Sequence, residues 1–161
     1  MTMKLSYLYL ESPVGRLKLV ANHHALVAVL WENENPNRVK MAELSEDLQH
    51  PILQETVKQL NEYFQGKRQI FDLPLDFEGT EFQHKVWQAL LTIPFGETRS
   101  YKQIAEQIGN VKAVRAVGAA NGKNPISIIT PCHRVVGANG KLVGFAGGLE
   151  NKNILLKIEN R

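Results

Sequence analysis

Apolar and polar residues alternate over residues 4–10, and Leu17, Leu19 and Ala21 repeat the pattern. A period of two puts one face of the segment on a core and predicts a β-strand. Ser12-Pro13-Val14-Gly15 supplies a turn, Asn22-His23-His24 another, and residues 26–31 a third strand, so the chain opens as an antiparallel meander. Residues 32–37 are polar, include Pro36 and form a loop, and residues 39–48 are expected as a short helix. After Pro51 the period changes. Leu53, Val57, Leu60 and Phe64 form one stripe of a helix that starts on proline and stops at Gly66. Residues 69–73 are expected as a strand. Residues 75–79 then serve as a linker and divide the chain into domains 1–79 and 80–161.

The second part is mainly helical. Thr80 is a helix N-cap, Phe82, Val86 and Leu90 share a face, and Ile93-Pro94-Phe95-Gly96 ends the segment. Ser100 caps a helix over 101–108, Gly109-Asn110 turns, and a further helix follows over 112–121. Helix, glycine-containing turn and helix is the helix-turn-helix pattern. Ala113, Ala116, Gly118, Ala119 and Ala120 make the second helix slim, while Lys112 and Arg115 make it basic. A slim helix suits close packing against another helix as well as it suits a DNA groove. Residues 126–129 are apolar and lead to Cys132 through the interior. Asn139-Gly140 signals a hairpin between Val135-Val136 and Leu142-Val143, and residues 144–148 form a glycine-rich loop. A helix over 150–159 closes the chain, with Ile154, Leu155 and Ile158 facing inward.

Charge and cysteine content sharpen the picture. The net charge of +3 over 161 residues hides an asymmetry. Residues 1–79 hold eight Lys/Arg against eleven Asp/Glu, a net of −3, and residues 80–161 hold eleven against five, a net of +6. The basic half fits a polyanionic partner. The chain has one cysteine, no apolar run of 18 residues and no basic-apolar leader, as expected of a cytoplasmic protein that does not enter a membrane. That cysteine, Cys132, precedes His133 and Arg134 and follows Pro131. A thiol is a nucleophile as its thiolate, which a neighbouring imidazole favours. A lone cysteine also serves as a small buried hydrophobe. Neighbouring side chains do not readily form a flat pair, so His133 would act on Cys132 through a bridging water or a tight turn.

Pro131-Cys132-His133-Arg134-Val135, with Asn124-Pro125 upstream, resembles the active-site motif of the O6-alkylguanine-DNA alkyltransferases. The likeness spans nearly the whole chain. It includes Ser12-Pro13-Val14-Gly15, Phe82-Gln83-His84-Lys85-Val86-Trp87, Pro94-Phe95-Gly96-Glu97-Thr98, Ser100-Tyr101 and the segment from Ala113 to Gly118. It implies an α+β protein with an N-terminal ribonuclease-H-like α/β domain and a C-terminal winged-helix-like DNA-binding domain. It further implies single-turnover transfer of an alkyl group from O6-alkylguanine, and O4-alkylthymine, in double-stranded DNA to Cys132.

In that reading His133 is the base acting through water, Glu159 orients it, and Asn124 braces the active-site turn, a nucleophile–base–orienter arrangement. The lesion must leave the duplex to be reached. Arg115 fills the vacated stack, and Tyr101 rotates the flanking phosphate and donates to the guanine. Lys112, Arg115, Ala116, Gly118, Tyr101 and Arg134 make the DNA-binding face, with the slim helix in the minor groove. Tyr101, Val135, Phe145 and Ala146 line the guanine pocket; Phe145 and Ala146 lack the hydroxyls that some members carry there. Some relatives bind zinc through N-terminal cysteines that this chain lacks, and His23, His24 and His84 have no ligand spacing, so neither metal nor cofactor is expected. The protein is expected as a monomer, with cooperative loading on DNA left open. Two other classes are a lesion-binding module and a cysteine hydrolase or other thiol transferase acting on small molecules. Cys132 argues against the first, and the basic half argues against the second.

Overall fold

The alternating segments form β1 (Leu5–Ser12), β2 (Gly15–Ala21) and β3 (Leu26–Leu30), paired antiparallel. A computed structural model describes residues 4–41, 44–140 and 144–160. The chain divides into two units, Met1–Glu78 and Gly79–Arg161.

In the first unit a short strand, β4 (Leu44–Glu46), joins β1 in parallel and gives the order β3-β2-β1-β4. Helix α1 (Pro51–Phe64) packs against β1, β2 and β3. Leu17 and Leu19 are wholly buried. Their neighbours in the strand point the other way, where Leu5, Val20, Ala28 and Leu30 gather Tyr7, Val39, Met41 and Leu44.

Three expectations change here. The helix expected over 39–48 is absent where the chain is described. β4 lies there instead, because Leu44 packs, half-buried, beside Leu5 in the register of β1; Ala42 and Glu43 fall outside the described residues. The strand expected over 69–73 is also absent. Gln59, buried on α1, donates from Nε2 to the Asp72 carbonyl at 2.9 Å and accepts the Asp72 N–H at 2.8 Å. A side-chain amide thus meets the hydrogen-bonding needs a strand ladder would meet. The buried stripe of α1 is also rotated from the expected one, with Thr56 and Tyr63 inside and Val57 half-buried.

The second unit begins with α2 (Glu81–Leu90), whose N-cap Thr80 and Gln83 form a reciprocal capping box. A two-residue strand, β5 (Arg99–Ser100), leads into α3 (Tyr101–Gln107), capped by Ser100 and Gln103 in the same way. Helix α4 (Val114–Gly122) packs on α2 and α3 and begins two residues later than expected, leaving Lys112 in the preceding turn. The small residues of α4 divide by face: Val117 and Ala120 are buried, and Ala116 and Ala119 are exposed. Its slimness therefore serves helix packing on one side and leaves a low surface on the other.

Cys132–Arg134 form a single 3-10 turn followed by β6 (Val135–Val136). β6 pairs in parallel with β5, and Leu142-Val143, expected as the return strand of a hairpin, lies outside the described residues. Asn139-Gly140 falls in a 3-10 turn, with Gly140 at φ 73°. Helix α5 (Leu149–Glu159) closes the unit with Leu155 and Ile158 buried, Ile154 half-buried and Glu159 at its last turn. No helix among the described residues is long and apolar enough to cross a membrane.

Candidate active site

The segment 126–136 runs through the interior. Ile126, Ser127, Ile128, Thr130 and His133 have no exposed surface, and Cys132 is 3% exposed. Ile128 has φ +72°, a left-handed conformation that costs a β-branched residue roughly 1–3 kcal/mol. The surrounding hydrogen bonds hold it there. Asn124 accepts the Ile126 N–H at 3.0 Å and donates to the Thr130 carbonyl at 2.9 Å. The same carbonyl accepts the Cys132 N–H at 2.7 Å. Asn124 thus closes the turn that delivers the cysteine.

His133 and Glu159 meet by a 2.6 Å hydrogen bond from the ring Nε2 to Oε2. That leaves the other ring nitrogen, Nδ1, buried and without a protein partner among the described residues. With Nε2 as donor, Nδ1 carries a lone pair, the feature a base needs. Burial, outweighing the pull of Glu159, moves His133 below its ordinary 6.5, so the ring is neutral at pH 7. Burial pushes Glu159 up. The hydrogen bond from His133 and the guanidinium of Arg134 outweigh it and hold the carboxyl at about 2. Because His133 is neutral, Arg134 is the permanent cation in this group.

Arg134 corrects the expectation drawn from sequence. Expected on the DNA face, it is buried, with Nε on Glu159 Oε1 at 2.7 Å, Nη2 on Oε2 at 3.1 Å and Nη1 on the Ile93 carbonyl at 2.6 Å. Its donors face inward, so it steadies Glu159 and leaves no fork for a phosphate. Of the other expected DNA contacts, Lys112, Arg115 and Ala116 are exposed at the start of α4, and Gly118 is half-buried facing Tyr101. Tyr101 is half-buried at the start of α3. Burial and the nearby Cys132 raise its phenol above its ordinary pKa, so it remains a donor at neutral pH.

Two functional candidates were not visible in the sequence. Lys152 on α5 is wholly buried and donates to the Val135 carbonyl at 2.6 Å, with Nζ 5.7 Å from the centre of the Phe145 ring. Burial lowers its pKa, with the charge of Cys132 opposing. Asn121, at the end of α4, places Nδ2 3.5 Å from the Cys132 carbonyl. Only the burial of such polar residues marks them out, and a helical pattern does not report it. Phe145 is half-buried and Ala146 exposed in the glycine loop, and Val135 is buried. Among the described residues no His, Cys, Asp and Glu cluster could hold a metal.

Comparison with known proteins agrees with this geometry. Residues 5–77 match the ribonuclease-like domain of 6-O-methylguanine DNA methyltransferase, and residues 81–161 match its DNA binding domain. The methylated-DNA–protein-cysteine methyltransferase of Mycobacterium bovis is 47% identical over 157 residues, covering 96% of this chain and 92% of that one. The protein of the same name from Methanosarcina acetivorans is 47% identical over 153 residues, covering 95% and 97%. A crystal structure of Mycobacterium tuberculosis OGT in complex with DNA superposes with a TM-score of 0.89 at 46% identity, covering 96% of this chain and 92% of that one. With a buried cysteine beside a histidine–carboxylate pair, and both halves of the chain matched, the protein belongs to the 6-O-methylguanine DNA methyltransferase family.

Proposed function

We propose that this protein repairs DNA by moving the alkyl group of O6-alkylguanine, and of O4-alkylthymine, irreversibly onto Cys132. The observation that carries the reading is the hydrogen bond from His133 to Glu159, which leaves Nδ1, in the residue next to the cysteine, without a partner among the described residues. The thiol proton passes through one water to Nδ1. Glu159 steadies the imidazolium as it forms, and Arg134 keeps Glu159 ionised. The sulfur then attacks the alkyl carbon. A carbon–sulfur bond forms while the bond from carbon to guanine O6 breaks, and the electron pair leaves with the guanine. Tyr101 donates a hydrogen bond to the departing base. The thioether has no second thiol to resolve it, since the chain has a single cysteine.

Arg115 and Lys112, exposed at the start of α4, are the cations assigned to the duplex, and Arg115 fills the gap left by the flipped nucleotide. The exposed Ala116 lets the helix lie close in the groove. The protein works as a monomer in the cytoplasm. The decisive experiment incubates it with a duplex carrying one O6-methylguanine and weighs the peptide containing Cys132. One methyl group gained per protein, and none with Cys132→Ser despite retained binding of the lesion duplex, is the expected result. Repair of many lesions by one molecule, or methylation elsewhere in the chain, overturns the reading.

A further inference from the structure

Trp87 is 1% exposed on α2, and its indole N–H donates to the Ala120 carbonyl of α4 at 2.9 Å. Ala120 lies five residues beyond Arg115 and four before Asn124. It therefore stands between the end of α4 assigned to the duplex and the turn that delivers Cys132. The helix needs a hold at this point. Its N-cap, Ala113, makes no side-chain cap hydrogen bond, and its buried apolar residues are Val117 and Ala120. Side chains this short raise low ridges, which resist sliding along a partner helix less than long ones do. A hydrogen bond has a preferred length and direction, so it fixes a position that shallow packing leaves loose. The indole is itself held. A Cβ on Gly79 would stand 2.6 Å from its Cη2 and 2.8 Å from its Cζ3, so the bare backbone of Gly79 lies against the ring.

We infer that Trp87 is a positioning residue for the reaction on duplex DNA: its N–H sets where α4 stands along its own axis, and with it the spacing of Arg115 from Cys132. The Ala120 carbonyl also accepts the Lys123 N–H at 3.1 Å, so loss of the indole donor leaves no orphaned acceptor and costs the fold little. What goes is the register between the helix in the groove and the nucleophile, and a misplacement of about 1 Å can slow a reaction by up to about a hundredfold. A free base needs no helix in a groove, so its reaction with Cys132 does not depend on that register. The inference rests on the reading that Cys132 takes the alkyl group from a base extruded from the duplex.

The test compares single-turnover transfer from a saturating duplex carrying O6-benzylguanine with transfer from free O6-benzylguanine. The variants are Trp87→Phe and Trp87→benzothienylalanine. The second keeps the shape of the indole and puts sulfur where the N–H stood, which guards against the cavity that phenylalanine leaves. Transfer from the duplex should slow about tenfold in both. Transfer from the free base should stay at the wild-type rate, and the benzothienyl variant should melt with wild type. Equal losses on the two substrates would mean that Trp87 only supports the fold. Wild-type transfer from the duplex by the benzothienyl variant would mean that the shape of the ring matters and its N–H does not. Either overturns the inference. A wild type that accepts no benzyl group from either substrate would instead strike the reading of Cys132, and this inference with it.

Discussion

Arg134 and Glu159 are locked by two parallel hydrogen bonds, 2.7 Å and 3.1 Å long, inside the second unit. The carboxylate that receives this fork also receives His133 at 2.6 Å. Glu159 therefore gives Oε1 to the fixed charge alone and shares Oε2 between that charge and a titrating ring. The fixed charge keeps it anionic whatever the ring does, and an anion is what a histidine needs when it takes up a proton.

Arg134→Leu should cost about 3–5 kcal/mol of stability, because removing one partner strands a buried charge. Arg134→Lys, which keeps the charge but loses the fork, should fall between. Urea unfolding measures both. The salt dependence of DNA binding should not change in either, since the guanidinium faces inward. A salt slope shallower by about one, the signature of a lost phosphate contact, would return Arg134 to the DNA face.

The two titrating groups fix how stability responds to acid. His133 is held below its ordinary 6.5 in the fold, so the unfolded chain takes up that proton first, and stability falls as pH drops below about 6.5. Glu159 is held at about 2 against an ordinary 4.5, so its contribution is complete above 4.5 and is lost as pH falls toward 2. Unfolding free energies measured from pH 8 to pH 4 should show the histidine limb first. His133→Gln should flatten it, and a limb unchanged in that variant would assign it elsewhere.

Glu159→Gln keeps the shape and removes the charge. Transfer to O6-benzylguanine should slow most near neutral pH and approach wild type at high pH, where the thiolate forms without help. Superimposable rate–pH profiles would reduce Glu159 to a structural partner of Arg134.

Asn124→Ala should leave the Ile126 N–H buried without an acceptor, costing about 1–3 kcal/mol. Transfer should slow as well, because the Thr130 carbonyl that anchors the Cys132 N–H loses its second donor. Stability is read by thermal melting and transfer by single-turnover rate. A variant that melts lower yet transfers at full speed would confine Asn124 to folding.

Arg115→Ala should reduce flipping more than binding, with the salt slope falling by about one. A fluorescent base analogue opposite the lesion reports the flip. Wild-type flipping in the variant would remove Arg115 from the stack.

The parts legible in the sequence were those whose pattern repeats. β1 and β2 span eight and seven residues, long enough for a period of two to declare itself. Thr80 and Ser100, N-cap residues by type, announced α2 and α3, and the structure adds the reciprocal glutamines. β4, β5 and β6 hold three, two and two residues, too few to set any period, and long-range pairing alone makes them strands. The strand expected over 69–73 failed because Gln59, thirteen positions from Asp72, reached its backbone first. Arg134 misled for a related reason. A cation in a basic half looks like a DNA contact until its carboxylate, 25 residues downstream, arrives beside it. Cys132 and His133 were plain as chemistry; Lys152 and Asn121 became visible only through their burial.

Cys132 is 3% exposed. A reagent that can be spent only once loses its value if stray electrophiles or oxidants reach it in bulk solvent. Sequestered under its own turn, the sulfur meets few such molecules, which in the proposed reaction keeps it for the lesion base. Each copy should therefore have a long shelf life in a cell full of small alkylating agents, so that its inventory tracks lesions in the genome rather than general chemical stress.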